Sequence, residues 1–170
     1  KPYKKPTVYL FIAYLYKDLN ETDKLIETCV AGLDCIEKNP KCQVYPFLEN
    51  KYDLEALLLS TGVELDGKYK SKLLLDDILS TLSNTRPVKN TITTSLWIGE
   101  YYINNEEYDL AQHYLDQALL LTKQHGLNIN EQHISHHLAV LAERKNDLET
   151  STALFAQLLH HKDSINKFKE

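Results

Sequence analysis

Three histidines, His133, His136 and His137, share a five-residue span. On a helix, residues three and four apart lie on one face, and two imidazoles with this spacing can bind Zn²⁺. No nearby carboxylate or cysteine completes a recognisable set of four ligands, and three histidines on one helix rarely converge on one ion. We therefore favour a groove wall that responds to pH or contacts a peptide, because imidazole changes charge near about pH 6.5. Metal binding stays open as the alternative.

The sequence contains no catalytic motif. It has no Gly-rich phosphate loop, no G-x-S-x-G and no H-E-x-x-H. The three cysteines, Cys29, Cys35 and Cys42, cannot all pair with one another and lack C-x-x-C spacing. We expect neither an enzyme nor a cofactor, and the cysteine usage favours a reducing, cytoplasmic setting.

Small residues recur at a nearly constant interval along the chain. Ala13, Ala56, Gly99 and Ala139 are 43, 43 and 40 residues apart. Apolar residues follow three of them at the same offsets and with helical spacing. A small residue in the first helix of a hairpin lets the second helix approach closely, and each hairpin must stack on its neighbours to bury two apolar faces. We predict an all-α, right-handed solenoid of four antiparallel hairpins, at about residues 6–39, 45–83, 91–125 and 130–165.

The second predicted hairpin departs from this template. Its inter-helix loop is longer, with glycines at Gly62 and Gly67. Its second helix fits only after a shift that places Leu74, Ile78 and Thr81 inward. We therefore expect this unit to be degenerate.

The third unit carries the strongest resemblance to a known family. Gly99, Tyr102, Tyr108, Ala111 and Ala118, within GEYYINNEEYDLAQHYLDQAL, resemble a tetratricopeptide repeat over residues 92–125. The match is fair for residues 6–39 and 132–165 and poor for 45–83. The resemblance implies a module that binds peptides or proteins, with the first helix of each hairpin lining a concave groove.

The residues that project into such a groove include aromatic, amide and charged side chains. An Asn side chain both donates and accepts hydrogen bonds, so it can bridge a peptide backbone, and aromatic rings can receive apolar side chains. Arg144 or Lys17 can hold a peptide carboxylate. Glu100 or Asp53 can hold its amine. We predict peptide binding by Tyr14, Asn50, Trp97, Glu100, Asn104, His133, His137 and Arg144.

Packing roles compete with these assignments. Large aromatic residues are common in helix–helix seams, so Trp97 is about as well explained by burial as by a groove role. Asn on a helix surface is usually solvated or capping, and the pair Asn104–Asn105 can form the turn between two helices, since Asn tolerates unusual dihedral angles.

Charge and length restrict the partners. The chain has 170 residues, with 19 Lys and Arg against 24 Asp and Glu, and a net charge of −5. This size suits one domain. The mild acidity argues against a nucleic-acid-binding surface, which needs a dense basic patch. No stretch approaches the roughly 18 apolar residues that span a membrane, so we expect a soluble protein.

A second resemblance concerns the wider context. Repeats longer than 34 residues, rich in Tyr, Leu, Asn and Lys, in a chain that starts without Met, are similar to the peptide-sensing half of the RNPP and Rgg-like Gram-positive transcription regulators. That resemblance implies a quorum-sensing domain that binds a short peptide and dimerises, with DNA contacted only by a missing N-terminal domain. The alternative is a protein-interaction scaffold without a small ligand.

Overall fold

The computed structural model describes residues 5–42, 47–82 and 87–167. These ranges contain helices and no β-strand, which confirms the all-α prediction. No helix within them combines the length and apolarity needed to cross a membrane. The helices are α1 (Lys5–Asp18), α2 (Thr22–Glu37), α3 (Phe47–Ser60), α4 (Ser71–Thr81), α5 (Val88–Asn104), α6 (Tyr108–His125), α7 (Asn128–Arg144) and α8 (Leu148–Lys167), with 3₁₀ turns at Pro40–Cys42 and Gly67–Tyr69.

Consecutive helices pair into four hairpins that stack in chain order. The first helices form an inner row, in which α3 packs on α1, α5 on α3 and α7 on α5. The second helices α2 and α6 each pack against the next hairpin, on α3 and α7. The architecture is therefore the predicted tetratricopeptide-like helical stack. The sequence predicts that the second hairpin runs from residue 45 to residue 83. Both of these residues lie outside the described ranges.

Small residues lie where the helices come closest. A Cβ atom added to Gly99 on α5 would lie 2.7 Å from Leu115 Cγ on α6. One added to Gly32 on α2 would lie 2.8 Å from Leu54 Cδ1 on α3 and 2.9 Å from Tyr9 Cβ on α1. These distances are too short for any side chain, so glycine sets both the spacing within a hairpin and the spacing between hairpins.

Three of the four hairpins turn in the same way. Asn20, Glu106 and Asn146 each have φ near +60° (57°, 62° and 60°) and each lies seven residues after the small residue of its unit. In each turn the following N–H donates to a carbonyl five residues back, as Glu107 N does to Tyr102 O at 2.9 Å. This pattern satisfies carbonyls at the helix end and reverses the chain in few residues. The left-handed residue of the third turn is thus Glu106, and Asn104 and Asn105 precede it.

The second hairpin is irregular, as predicted. Its helices are joined by a loop with left-handed Gly62 and Gly67, and α4 has 11 residues. Leu74 and Ile78 are buried and Thr81 is partly buried. Unlike α2 and α6, α4 packs mainly on its own partner, α3, and makes few contacts with the next hairpin.

The close approach at Gly99 generates a stability prediction. Replacing Gly by Ala in a helix usually raises stability by about 0.5–1 kcal/mol. Gly99→Ala is instead expected to lower the free energy of unfolding by about 1 kcal/mol or more, because the added methyl overlaps Leu115. Urea denaturation measures the change. In a Leu115→Ala background the penalty for Gly99→Ala should vanish, and an equal penalty in both backgrounds would show that helix approach is not its cause.

The turn at Glu106 generates a second prediction. A left-handed conformation costs less for Asn than for Glu, and the two equivalent turns already use Asn. Glu106→Asn is expected to raise the free energy of unfolding by roughly 1 kcal/mol or less. Glu106→Ala, which removes the same charge and keeps the backbone cost, is the control. If thermal unfolding shows an equal gain for both variants, charge and not backbone conformation explains it.

Candidate functional site

The inner row of helices encloses a cavity of about 340 Å³, which we call the central cavity. Its wall includes the C-terminal ends of α1, α3 and α5, the turn after α1, and the first half of α7. All four hairpins therefore contribute to it. Five of the eight predicted binding residues line this cavity: Trp97, Glu100, Asn104, His133 and His137.

A partly buried ion pair crosses the floor of the central cavity. Lys17 Nζ lies 2.8 Å from Glu100 Oε1 and also donates to Ser60 Oγ at 3.1 Å. The ammonium group is 5.2 Å from the centre of the Trp97 ring, within the range of a cation–π contact. Three hairpins are joined by this one lysine. The sequence placed Lys17 and Glu100 on the groove as separate ligand contacts, and the structure shows that they bind each other.

Glu100 keeps one oxygen without a partner. Its side chain is 19% exposed, and Oε2 is buried and accepts no hydrogen bond from the described residues. Burial raises the pKa of Glu100, and the Lys17 ammonium opposes this shift only in part. A buried carboxylate oxygen without a donor costs free energy, so the site favours a ligand that brings an N–H group.

The two predicted asparagines bridge neighbouring first helices. Asn50 Nδ2 donates to Thr7 Oγ1 at 3.0 Å, between α3 and α1, and lies outside the central cavity. Asn104 Nδ2 donates to the carbonyl oxygen of Ser60 at 3.2 Å, between α5 and α3, and lies on the cavity wall. Asn104 therefore positions the wall with its amide nitrogen.

The remaining aromatic and charged candidates lie in different environments. Tyr14 lies near Trp97 and outside the cavity lining, and burial, followed by the Asp53 carboxylate, raises the pKa of its hydroxyl far above the ordinary value. The indole nitrogen of Trp97 is near this hydroxyl but has no partner with hydrogen-bond geometry. Phe11, expected as an aromatic groove residue, is 66% exposed and does not line the cavity. Arg144 is exposed at the end of α7, also outside the lining.

The histidines form an aromatic wall. The ring of His137 packs edge-on against Trp97, with 6.3 Å between centroids, and His136 lies 5.6 Å from His137. Burial, and then the neighbouring His136, lower the pKa of His137 to about 3. His137 is therefore neutral at physiological pH, unlike the imidazole expected to change charge near about pH 6.5. Among the described residues, no group of three or more His, Cys, Asp or Glu side chains is placed to hold a metal ion.

The neutral state of His137 generates a prediction about acid stability. Below about pH 6.5 the unfolded chain protonates this imidazole, whereas the native chain does not until about pH 3. Stability is therefore lost as pH falls through this window, and His137 accounts for about 2 kcal/mol between pH 7.5 and pH 5. The variant His137→Leu is expected to lose that much less stability over the same range in urea titrations. His113→Gln, at an exposed position on α6, should keep the wild-type pH dependence. An unchanged slope in His137→Leu would contradict the assignment.

Comparison with known proteins identifies one of the four hairpins. Residues 93–125, which form most of α5 and all of α6, match the tetratricopeptide repeat. This agrees with the resemblance found at residues 92–125. Neither the curated proteins nor the solved structures show a significant similarity to the chain. Tetratricopeptide repeats generally bind partner proteins or peptides and are typically not catalytic, so the chain contains a repeat of the protein-interaction class.

Proposed function

We propose that this chain binds a peptide, or a peptide segment of a partner protein, in the central cavity. The observation that carries the proposal is Glu100 Oε2, a buried acceptor with no donor among the described residues, on a side chain that lines a cavity bordered by all four hairpins. Native proteins pair nearly all buried polar atoms, so this unpaired oxygen suggests a missing ligand group, which a small rotation of the carboxylate would reach. A peptide supplies such a donor at its amino terminus and at each backbone N–H.

The size and chemistry of the cavity restrict how the peptide binds. A volume of about 340 Å³ is near the lower limit for small-molecule sites, so it suits one or two residues and not an extended octapeptide. Apart from Lys17, Glu21 and Glu100, its polar wall is made of amides, hydroxyl groups and imidazoles. Since Lys17 and Glu100 already neutralise each other, the wall favours an N–H donor over a carboxylate. The amino-terminal end of the ligand therefore enters the cavity, and the rest lies along the rim.

The finer proposal is that this module is the sensor and dimerisation domain of a quorum-sensing transcription regulator. DNA would then be contacted by a separate N-terminal domain. Its support is the resemblance in repeat length and composition to RNPP and Rgg-like sensors. The tetratricopeptide repeat at residues 93–125 supports only the interaction module.

A scaffold without a small ligand is the second candidate. It is favoured by an exposed apolar stripe formed by Val8, Phe11 and Leu15 of α1 together with Leu19, the first residue after this helix, all 50–68% exposed. These residues follow one another at three- and four-residue spacing, so they lie on one helix face. Such a stripe is typical of a surface that contacts another protein.

The two candidates make different predictions for peptide binding. We expect affinity selection from a random octapeptide library to enrich peptides that change the fluorescence of Trp97, the single tryptophan of the chain, and raise its melting temperature. Glu100→Gln should weaken their binding about 10-fold or more, because a hydrogen bond to a charged group is lost. Acetylation of the peptide amino terminus should weaken it similarly.

The control variant is Glu143→Gln, which removes an exposed carboxylate from α7. It should bind the enriched peptides with wild-type affinity. Equal affinity of wild type and Glu100→Gln would exclude the central cavity as the site. A selection that enriches no peptide would favour the scaffold.

A further inference from the structure

A second cavity, which we call the side cavity, lies between α2, α3 and α4 and has a volume of about 570 Å³. It lies outside the inner row of first helices that forms the central cavity. Its volume is within the range of sites that bind small ligands. It occurs at the irregular second hairpin, where α4 is short and its register is shifted.

The walls of the side cavity are of two kinds. Leu33 and Ile36 from α2, with Leu74 from α4, provide apolar surface. Opposite charges lie beside this surface, on Lys51 and Glu55 of α3 and Asp77 of α4. An apolar surface with a few converging polar groups is typical of a ligand site.

Glu55 is the least expected of these residues. It is 4% exposed, and its Oε2 receives no hydrogen bond from the part of the chain that the structure describes. Oε1 lies 3.4 Å from Lys51 Nζ. Buried carboxylates are retained in proteins when they are paired, and Glu55 is paired at only one oxygen.

The lysines around Glu55 are fewer than the carboxylates. Lys51 also contacts Asp77, so one ammonium group serves two carboxylates. The other lysine of the wall, Lys68, contacts Asp34 and Glu37, and Asp34 also contacts Lys38. The acid groups that face the site, from α2, α3 and α4, thus exceed the lysines. One further cation would give Glu55 a partner of its own.

The protonation of Glu55 agrees with this deficit. Burial raises the pKa of Glu55 to about 8, although the Lys51 ammonium lowers it; the Asp77 carboxylate, within hydrogen-bonding reach, adds to the upward shift. At neutral pH the empty site therefore holds a proton on Glu55. A cationic group that enters would displace this proton, since a carboxylate beside a positive charge ionises more readily.

We propose that the side cavity binds an alkylammonium or alkylguanidinium group, with the cationic head beside Glu55 and Asp77 and the aliphatic part against Leu33, Ile36 and Leu74. The same chemistry is carried by free alkylamines and by Lys or Arg side chains of a partner peptide. Binding exchanges one proton of Glu55 for the ligand cation. The side cavity is independent of the peptide proposed for the central cavity.

Calorimetric titration of the full chain tests this proposal with three probes. Butylguanidine represents a free alkylguanidine, acetyl-Gly-Arg-Gly-amide represents an Arg side chain in a peptide, and hexanol is the uncharged control. We expect at least one cationic probe to saturate the site and hexanol to bind at least 10-fold more weakly. The tighter of the two cationic probes identifies the source of the ligand. Absence of saturation by both, or equal binding of hexanol, would overturn the proposal.

Proton release gives a second readout that non-specific charge attraction does not produce. At pH 7, titrations in buffers of different ionisation enthalpy should show release of close to one proton for each ligand bound, falling towards zero above pH 9. Binding without proton release at pH 7 would overturn the exchange at Glu55.

Matched variants test whether cation binding and proton release occur at Glu55. Glu55→Gln should weaken the cationic probe at least 10-fold and abolish proton release, and Asp77→Asn should weaken binding while keeping part of the release. Asp76→Asn removes one exposed charge from the same helix and should change neither. Glu100→Gln should also leave this binding unchanged, so failure of one site is distinguishable from failure of the other. Wild-type affinity in a folded Glu55→Gln variant would overturn the proposal.

Discussion

The stack depends on the close approach of helices at small residues. Gly99 lets α6 approach α5, and Gly32 lets α2 contact both α1 and α3. Gly99 thus sets the spacing within the third hairpin, and Gly32 sets the spacing between the first hairpin and α3. Hydrogen bonds between neighbouring first helices are separated by about one repeat: Asn50 to Thr7 spans 43 residues, and Asn104 to Ser60 spans 44.

The same interval recurs at the central cavity. Lys17 reaches Ser60, 43 residues further along the chain, and Glu100, 83 residues away. The ion pair therefore links the first and third hairpins at the cavity wall. Forming the Lys17–Glu100 ion pair costs free energy, because both charges lose contact with water. A partly buried pair offsets this cost only when its geometry is favourable and further hydrogen bonds are made. Lys17 meets this condition through Ser60 and Trp97, whereas Glu100 Oε2 has no donor among the described residues.

The sequence predicts the faces of helices better than the distances between them. The interval of small residues correctly gave the helical stack, the repeat at residues 92–125 and the irregular second hairpin. It also placed Trp97, Glu100, Asn104, His133 and His137 on the inner face, where the cavity lies. It did not predict that Lys17 binds Glu100, because that distance is set by small rotations summed over two hairpins. The low pKa of His137 was missed for a related reason, since burial depends on neighbours distant in sequence. The roles of the peptide-binding residues stay predictions.

The side cavity follows from the one place where the repeat pattern fails. In the third unit, Ala111 and Leu115 lie 12 and 16 residues after the small residue, and both are buried. The same offsets from Ala56 reach Lys68 and Lys72, which cannot be buried in a helix seam without partners. The second helix therefore begins later, at Ser71, and its shifted register buries Ile78.

α4 does not pack on the next hairpin as α2 and α6 do. The space left beside α3 borders Glu55, which is only 4% exposed. A buried acid next to an open volume is stable only while it holds a proton or meets a cation. The irregular hairpin thus gives the stack a second site whose chemistry differs from that of the central cavity.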